Sequence, residues 1–256
     1  MKFILMDLER RGEQGLVPEA EMQRRIGKHQ AALVGLSTQR SAANRSHLTM
    51  SVGLPATEES AIVRFNRGKH SVTDGPFTET KELLAGFDVI DFDSKQDAID
   101  WYKSIGYEHD GHVMEIRPVV GAALIYHGHR PSGASKFLLR FGGPKPNESE
   151  AESEHNFRAS ERITMEYVRK GFMGESICWA GVRLAPPRQA ITLRRRGGEL
   201  LVSDGPFTET REVIGGFTIL DCASREEAVE WARKYSFVEG DITQVVPCGM
   251  WWTQIV

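Results

Sequence analysis

The sequence predicts an α+β fold made of two copies of one unit, and three observations carry that prediction. The stretch Asp74-Gly75-Pro76-Phe77-Thr78-Glu79-Thr80 recurs as Asp204-Gly205-Pro206-Phe207-Thr208-Glu209-Thr210, 130 positions later. The match continues without a gap. Lys81-Glu82 answers Arg211-Glu212, Gly86-Phe87 answers Gly216-Phe217, and Asp91, Ser94, Ala98 and Trp101 share their offsets with Asp221, Ser224, Ala228 and Trp231. An ungapped repeat of this length is a duplicated folding unit, so each half serves as a check on the other. Each half also reads as short apolar or alternating runs interrupted by two helical patterns. Finally, 256 residues with 40% hydrophobic and 26% charged content suit two globular units of ordinary size. Each sheet would have one apolar face in need of cover, so the two sheets are expected to face each other with the helices outside.

Phe3 to Leu8 is a short apolar run that suits a central strand. Pro18-Glu19-Ala20-Glu21 opens a helix, with proline in the first turn and acids where the helix dipole favours them, and Gly35 closes it. Leu36 to Ser46 is a polar excursion, and Leu48 to Gly53 is a further candidate strand. Ala61 to Phe65 and His70 to Thr73 form a hairpin around Asn66-Arg67-Gly68. Ala85 to Phe92 is the next strand. Ser94 caps a helix whose apolar face is Ala98, Trp101, Tyr102 and Ile105, and Val113 to Val120 closes the unit. The order β-α-β-β-β-α-β is close to a split βαβ, ferredoxin-like unit with an extra hairpin strand. Units are expected at residues 1–120 and 135–248, joined by a linker at 121–134 and followed by a tail at 249–256. In the second half Phe137 to Phe141 is the first strand, Pro144 to His155 a polar loop and Ser160 to Arg169 the helix. The hairpin turns at Arg196-Gly197-Gly198, Gly216 to Cys222 is a strand, Ser224-Arg225-Glu226-Glu227 is a capping box, and Thr243 to Val246 is the closing strand.

A net charge of −3 leaves no broad basic field for nucleic acid, and Arg194-Arg195-Arg196 reads as a solvated hairpin end. Cys178, Cys222 and Cys248 are odd in number and all in the second half, so the duplicated fold needs no disulfide and a reducing, cytoplasmic setting fits. The apolar start Phe3-Ile4-Leu5-Met6 meets Asp7 too soon for a signal peptide or a membrane span. There is no Walker or Rossmann glycine loop, no Cys-x-x-Cys and no Gly-x-Ser-x-Gly, so neither a cofactor nor a metal is expected. His109, Asp110 and His112, and likewise His127 and His129, match no common metal spacing.

At the repeated motif both halves resemble the YCII-related proteins, in the branch marked by Asp-Gly-Pro-Phe. The resemblance covers about residues 1–120 and 135–248. It implies a ferredoxin-like α+β unit and a dimeric α/β barrel in which two units pack sheet to sheet, here both supplied by one chain. It also implies kinship to muconolactone isomerase and to a chloromuconolactone dehalogenase, and a gene setting beside extracytoplasmic-function sigma factors. A His and an Asp are paired as active-site candidates elsewhere in the wider family.

Asp74 and Asp204 are the leading site candidates, as carboxylates at a cleft mouth acting as general base or ligand contact. The competing account is that each caps its own turn by accepting backbone N–H bonds, which also explains the adjoining Gly and Pro. Glu79 with Lys81, and Glu209 with Arg211, keep their charge signs across the repeat and are either ligand contacts or surface ion pairs. Phe77 and Phe207 sit inside polar turns and must pack into a barrel edge or a ligand pocket. His29 is a candidate general base, or a helix residue bonded to a carbonyl. Its counterpart falls near Ser160, and that of His70 is Leu200, so one working pocket is expected, built on Asp74 and His29. Trp251 and Trp252 in the tail suggest self-association as a homodimer. The first functional expectation is binding of a small molecule, or isomerase- or lyase-like acid–base chemistry, in a carboxylate-lined cleft between the sheets. The alternative is a non-catalytic ligand- or protein-binding regulatory module in a sigma-factor pathway. A third is a structural pseudo-dimer.

Overall fold

The structure is a computed structural model. It describes residues 2–10, 19–38, 47–54, 60–74, 82–105, 113–127, 135–142, 177–185, 189–205, 214–236, 241–248 and 250–253, with nine further positions between 151 and 169. In chain order the elements of the first half are β1 (Lys2–Arg10), α1 (Glu19–Thr38), β2 (His47–Gly53), β3 (Ala61–Asn66), β4 (Lys69–Asp74), β5 (Glu82–Asp91), α2 (Lys95–Ile105) and β6 (Val113–His127). The second half contributes β7 (Ser135–Gly142), helical residues within 151–169 termed α3, β8 (Ile177–Leu184), β9 (Ile191–Arg196), β10 (Glu199–Asp204), β11 (Ile214–Cys222), α4 (Arg225–Tyr235), β12 (Ile242–Pro247) and β13 (Met250–Thr253).

β1 is the axis of the first sheet because it is apolar on both faces: Ile4, Leu5 and Met6 are all buried. It pairs antiparallel with β5 and β6, and β2 adds outside β5, giving the order β2-β5-β1-β6. The second half repeats this as β8-β11-β7-β12, again antiparallel. Both hairpins turn on two residues with positive φ, Arg67 (51°) and Gly68 (69°), then Gly197 (60°) and Gly198 (80°). That is the geometry whose twist matches the flanking strands.

Neither hairpin stays with its own sheet. β3 pairs with β12, Ile62 opposite Gln244, while β9 pairs with β6, Thr192 opposite Glu115. Each half thus lends a hairpin to the edge of the other. β6 also runs on past β1 to pair with β8, and β13 pairs with β2, so the two sheets join into one curled sheet.

Three large apolar clusters follow from this layout among the described residues. Ile4, Met6, Val52, Phe87 and Val89 of the first sheet pack on Leu138, Val182, Phe217, Ile219 and Val246 of the second. At their centre the Phe87 and Phe217 rings lie 4.3 Å apart. On the outer face of the first sheet, Leu33 and Leu36 of α1 and Ala98, Ile99, Tyr102 and Ile105 of α2 cover Leu5, Ile90, Met114 and Ile116, together with Ile191 and Leu193 of the lent hairpin. On the outer face of the second sheet, Ala228, Val229, Trp231 and Ala232 of α4 cover Leu139, Leu220 and Val245, together with Ala61 and Val63. The helices are therefore outside and the sheets face each other, as expected. The caps form as well: Asp97 N–H donates to Ser94 Oγ at 3.1 Å and Glu227 N–H to Ser224 Oγ at 3.3 Å.

Four expectations are corrected. Gly121 to His127, read as linker, continues β6, because the edge of β8 is there to receive it. Ala151 and His155, read as loop, are helical. The strands β8 and β13 went unrecognised, and the tail residues Trp251 and Trp252 lie in β13, paired with Val52 and Ser51. The parts of the linker at 128–134 and of the tail at 254–256 lie outside the described residues.

Candidate functional site

A His–Asp pair is present, but its carboxylate is not one the motif supplies. α1 lies over the outer face of the first sheet, held by Leu33 and Leu36, and one turn earlier it presents His29. Nε2 of His29 lies 3.1 Å from Oδ2 and 3.3 Å from Oδ1 of Asp88 on β5. The Asp88 side chain is 4% exposed and that of His29 is 25% exposed. The carboxylate is therefore enclosed while the imidazole is still reachable. In the tautomer whose proton sits on Nε2, His29 donates to this carboxylate. Ser51 on β2 is the cross-strand neighbour of Asp88, and it too is buried. Directly opposed residues share a face with Cβ atoms about 4.5–5.5 Å apart, so the hydroxyl belongs to the same polar site.

The register locates the same place in the second half. There Thr218 pairs with Gly181 and Leu139 as Asp88 pairs with Ser51 and Leu5. Asp88 thus becomes Thr218 and Ser51 becomes Gly181. Ser160, the expected counterpart of His29, lies outside the described residues.

The motif aspartates are elsewhere. Asp74 ends β4 and pairs with Arg225 at the start of α4, while Asp204 ends β10 and meets Lys95 Nζ at the start of α2 at 3.2 Å. The arrangement is reciprocal. Each hairpin ends on a carboxylate that touches the first-turn cation of the other half's helix, beside the helical cluster its own residues complete. Both aspartates are well exposed, so each pair is worth about 0–1 kcal/mol. His29 and Asp74 are not brought together. Gly205 has φ +93°, which favours glycine, and its N–H donates to the Ala190 carbonyl at 2.9 Å. Gly75, Phe77, Glu79, Lys81, Phe207, Glu209 and Arg211 lie outside the described residues.

A second polar centre lies between the sheets. Glu115 and Arg117 on β6 are both buried; Arg117 Nε donates to Glu115 Oε1 at 2.9 Å, and Nη1 donates to the carbonyl of Ile214 in the second half. Opposite Glu115, Thr192 Oγ1 donates to the Gly205 carbonyl at 3.1 Å. Gly205 and Ile214, the two ends of the second motif loop, are thus both fastened to this neighbourhood. The equivalent positions on β12, fixed by pairing with β7, are Gln244 and Val246.

The family model described as the YCII-related domain matches residues 16–121 and again 142–251. The chain belongs to the YCII-related domain family. An uncharacterized protein of Rhizobium meliloti (strain 1021) is 41% identical over 88 residues, 34% of this chain and 67% of that protein. Among solved structures, an anthrone oxidase-like protein superposes with TM-score 0.38 and 9% identity, over 98% of this chain and 93% of the other. An aldoxime dehydratase in complex with butyraldoxime gives TM-score 0.24 and 10% identity, over 96% of this chain and 79% of that one. Superpositions this loose carry no argument about activity. Among the described residues no helix of this YCII-related chain is long and apolar enough to cross a membrane.

Sequence reasoning found His29 and missed Asp88, Ser51, Glu115 and Arg117. The signal was present. Gly86-Phe87 and Gly216-Phe217 match, yet the next residue changes from Asp88 to Thr218, a charge on a strand whose neighbours are otherwise apolar.

Proposed function

We propose that this YCII-related chain is an intramolecular dimeric α/β barrel of two ferredoxin-like units with one acid–base site for a small molecule, in the first half. The strand orders β2-β5-β1-β6 and β8-β11-β7-β12 support the architectural part. The observation that carries the functional part is the His29–Asp88 pair, with Ser51 beside it and Thr218 and Gly181 in the matching places. Asp88 orients the imidazole and stabilises its charged form; His29 accepts a proton from an acidic C–H or O–H of the ligand and returns it elsewhere; Ser51 is the hydrogen-bond donor for the oxygen on which charge develops. Proton transfer of this kind underlies isomerisation and elimination alike.

The test needs no knowledge of the natural substrate. A panel of small ketones, lactones and hydroxy acids is incubated with the protein in D2O, and loss of C–H signal is followed by proton NMR. His29→Gln and Asp88→Asn should each slow exchange of any responsive compound by at least about 100-fold, the lower end of general acid–base contributions. Thr218→Val should leave it unchanged. Equal rates in all four proteins would remove the proposal, and absence of exchange across the panel would favour a binding-only module.

A further inference from the structure

The outer strands of the two lent hairpins, β4 and β10, are both edges of the curled sheet, and they differ. β4 reads Lys69-His70-Ser71-Val72-Thr73-Asp74, and β10 reads Glu199-Leu200-Leu201-Val202-Ser203-Asp204. Lysine and other polar groups on an edge strand discourage pairing with a second chain. β4 has them, and His70 is further engaged, its Nε2 lying 2.6 Å from the Ser236 carbonyl. β10 places leucines where β4 has His70 and Ser71. Leu201 is 48% exposed and Val202 46%, and among the described residues β10 pairs only with β9.

We propose that β10 is a self-association edge and that a second copy of this chain covers it, β10 against β10, antiparallel. The hydrogen-bond parity of the hairpin selects the register. In a two-residue hairpin the residues flanking the turn, here Arg196 and Glu199, exchange both backbone bonds, and the pattern then alternates. Leu201 and Ser203 therefore bond inward to β9, while Leu200 and Val202 aim their N–H and C=O groups outward. A two-fold axis at Leu201 sets Leu200 of each copy opposite Val202 of the other, joining outward groups to outward groups. It also sets Glu199 against Ser203 and Gly198 against Asp204, so no acid faces an acid. Leu200 and Val202 share the α2 side of the sheet, as Leu200 packs on the α2 cluster. The axis keeps both copies of α2 on one face, where each Val202 packs beside the other copy's Leu200. A heterologous β10-to-β4 contact would instead build a ring or an open filament.

The full chain is examined by sedimentation velocity across a concentration series. The wild type should pass from monomer to dimer and stop there. Leu201→Lys, which sets two ammonium groups against each other on the axis, should raise the dissociation constant at least 100-fold, whereas Val72→Lys on β4 should not change it. Thermal unfolding checks that both variants are folded. Residues opposed in a non-hydrogen-bonded pair have Cα atoms about 4.5 Å apart, within disulfide reach. Leu201→Cys should therefore give a 201–201 linked dimer on oxidation, identified by peptide mapping against the native cysteines, while Val72→Cys should not. A wild type monomeric throughout, a Leu201→Lys variant that dimerises normally, or assemblies growing beyond two would each overturn the proposal.

Discussion

The two halves share one plan and differ in what they bury. Along the outer face of the first sheet, Ser51 and Asp88 lie beneath α1 and His29; at the matching register in the second sheet stand Gly181 and Thr218. Between the sheets, Glu115 and Arg117 answer Gln244 and Val246. Several described residues that are unchanged across the repeat serve architecture: Gly86 and Gly216, Phe87 and Phe217, the cap serines 94 and 224. Where a buried polar group appears in one half only, the fold does not require it, since the other half folds without it. Burying charge costs stability unless it is paired, so a one-sided charged group marks work other than folding.

The sharpest way to break this contrast is at Arg117. Arg117→Val alone strands the Glu115 carboxylate in the interior and should destabilise by about 3–5 kcal/mol. Adding Glu115→Gln converts the first half to the pattern of the second, and the double variant should recover most of that loss. Urea unfolding of wild type, single and double variants measures both, and a double variant no more stable than the single would mean that the first half depends on the charges. A smaller effect is expected at the shared glycines. A Cβ on Gly216 would meet the Val182 carbonyl oxygen at 2.5 Å and one on Gly86 the Val52 carbonyl oxygen at 2.8 Å. Alanine at either should cost about 1–3 kcal/mol, as overpacking does, and more at Gly216. Equal melting temperatures for wild type and both alanine variants would deny the glycines this role.

The smallest effect concerns the helix that carries His29. Hydrogen bonds from Arg24 and then Arg25 hold the Glu21 carboxyl down from 4.5 to about 2. A carboxyl whose folded value is depressed contributes stability above its ordinary value and loses it as pH falls through the folded one. Wild type should therefore exceed Glu21→Gln in thermal stability at pH 6, with the margin shrinking between pH 4.5 and 2. A margin that grows on acidification would contradict the pairing.

Most of the architecture was legible in the sequence because it rests on local chemistry repeated twice. The two hairpins, the cap serines and the apolar faces of α2 and α4 follow from turn residues and helical spacing. What was not legible is non-local. Nothing within residues 61–74 says that Ile62 will pair with Gln244 rather than with a strand of its own half. Val113 to Val120 alternates as a strand should, but its continuation to His127 depends on the waiting edge of β8. The site was half legible for the same reason. His29 stood out as a titratable residue on a helix, whereas its partner Asp88 required the pairing of α1 with β5. The repeated motif drew attention to Asp74 and Asp204, which clasp the opposite helix starts through Arg225 and Lys95.

The exchange of hairpins also sets a timetable for the chain as it leaves the ribosome. β1, α1, β2, β5 and α2 can assemble once β6 is made, but the hairpin of residues 61–74 has no edge to join until residues 242–247 have emerged. Until then Ala61, Ile62 and Val63, buried in the finished protein, wait without their cover. Loop closure over so many residues is slow, and exposed apolar hairpins are aggregation-prone. A nascent first half is thus an unfinished object until residues 242–247 have been made.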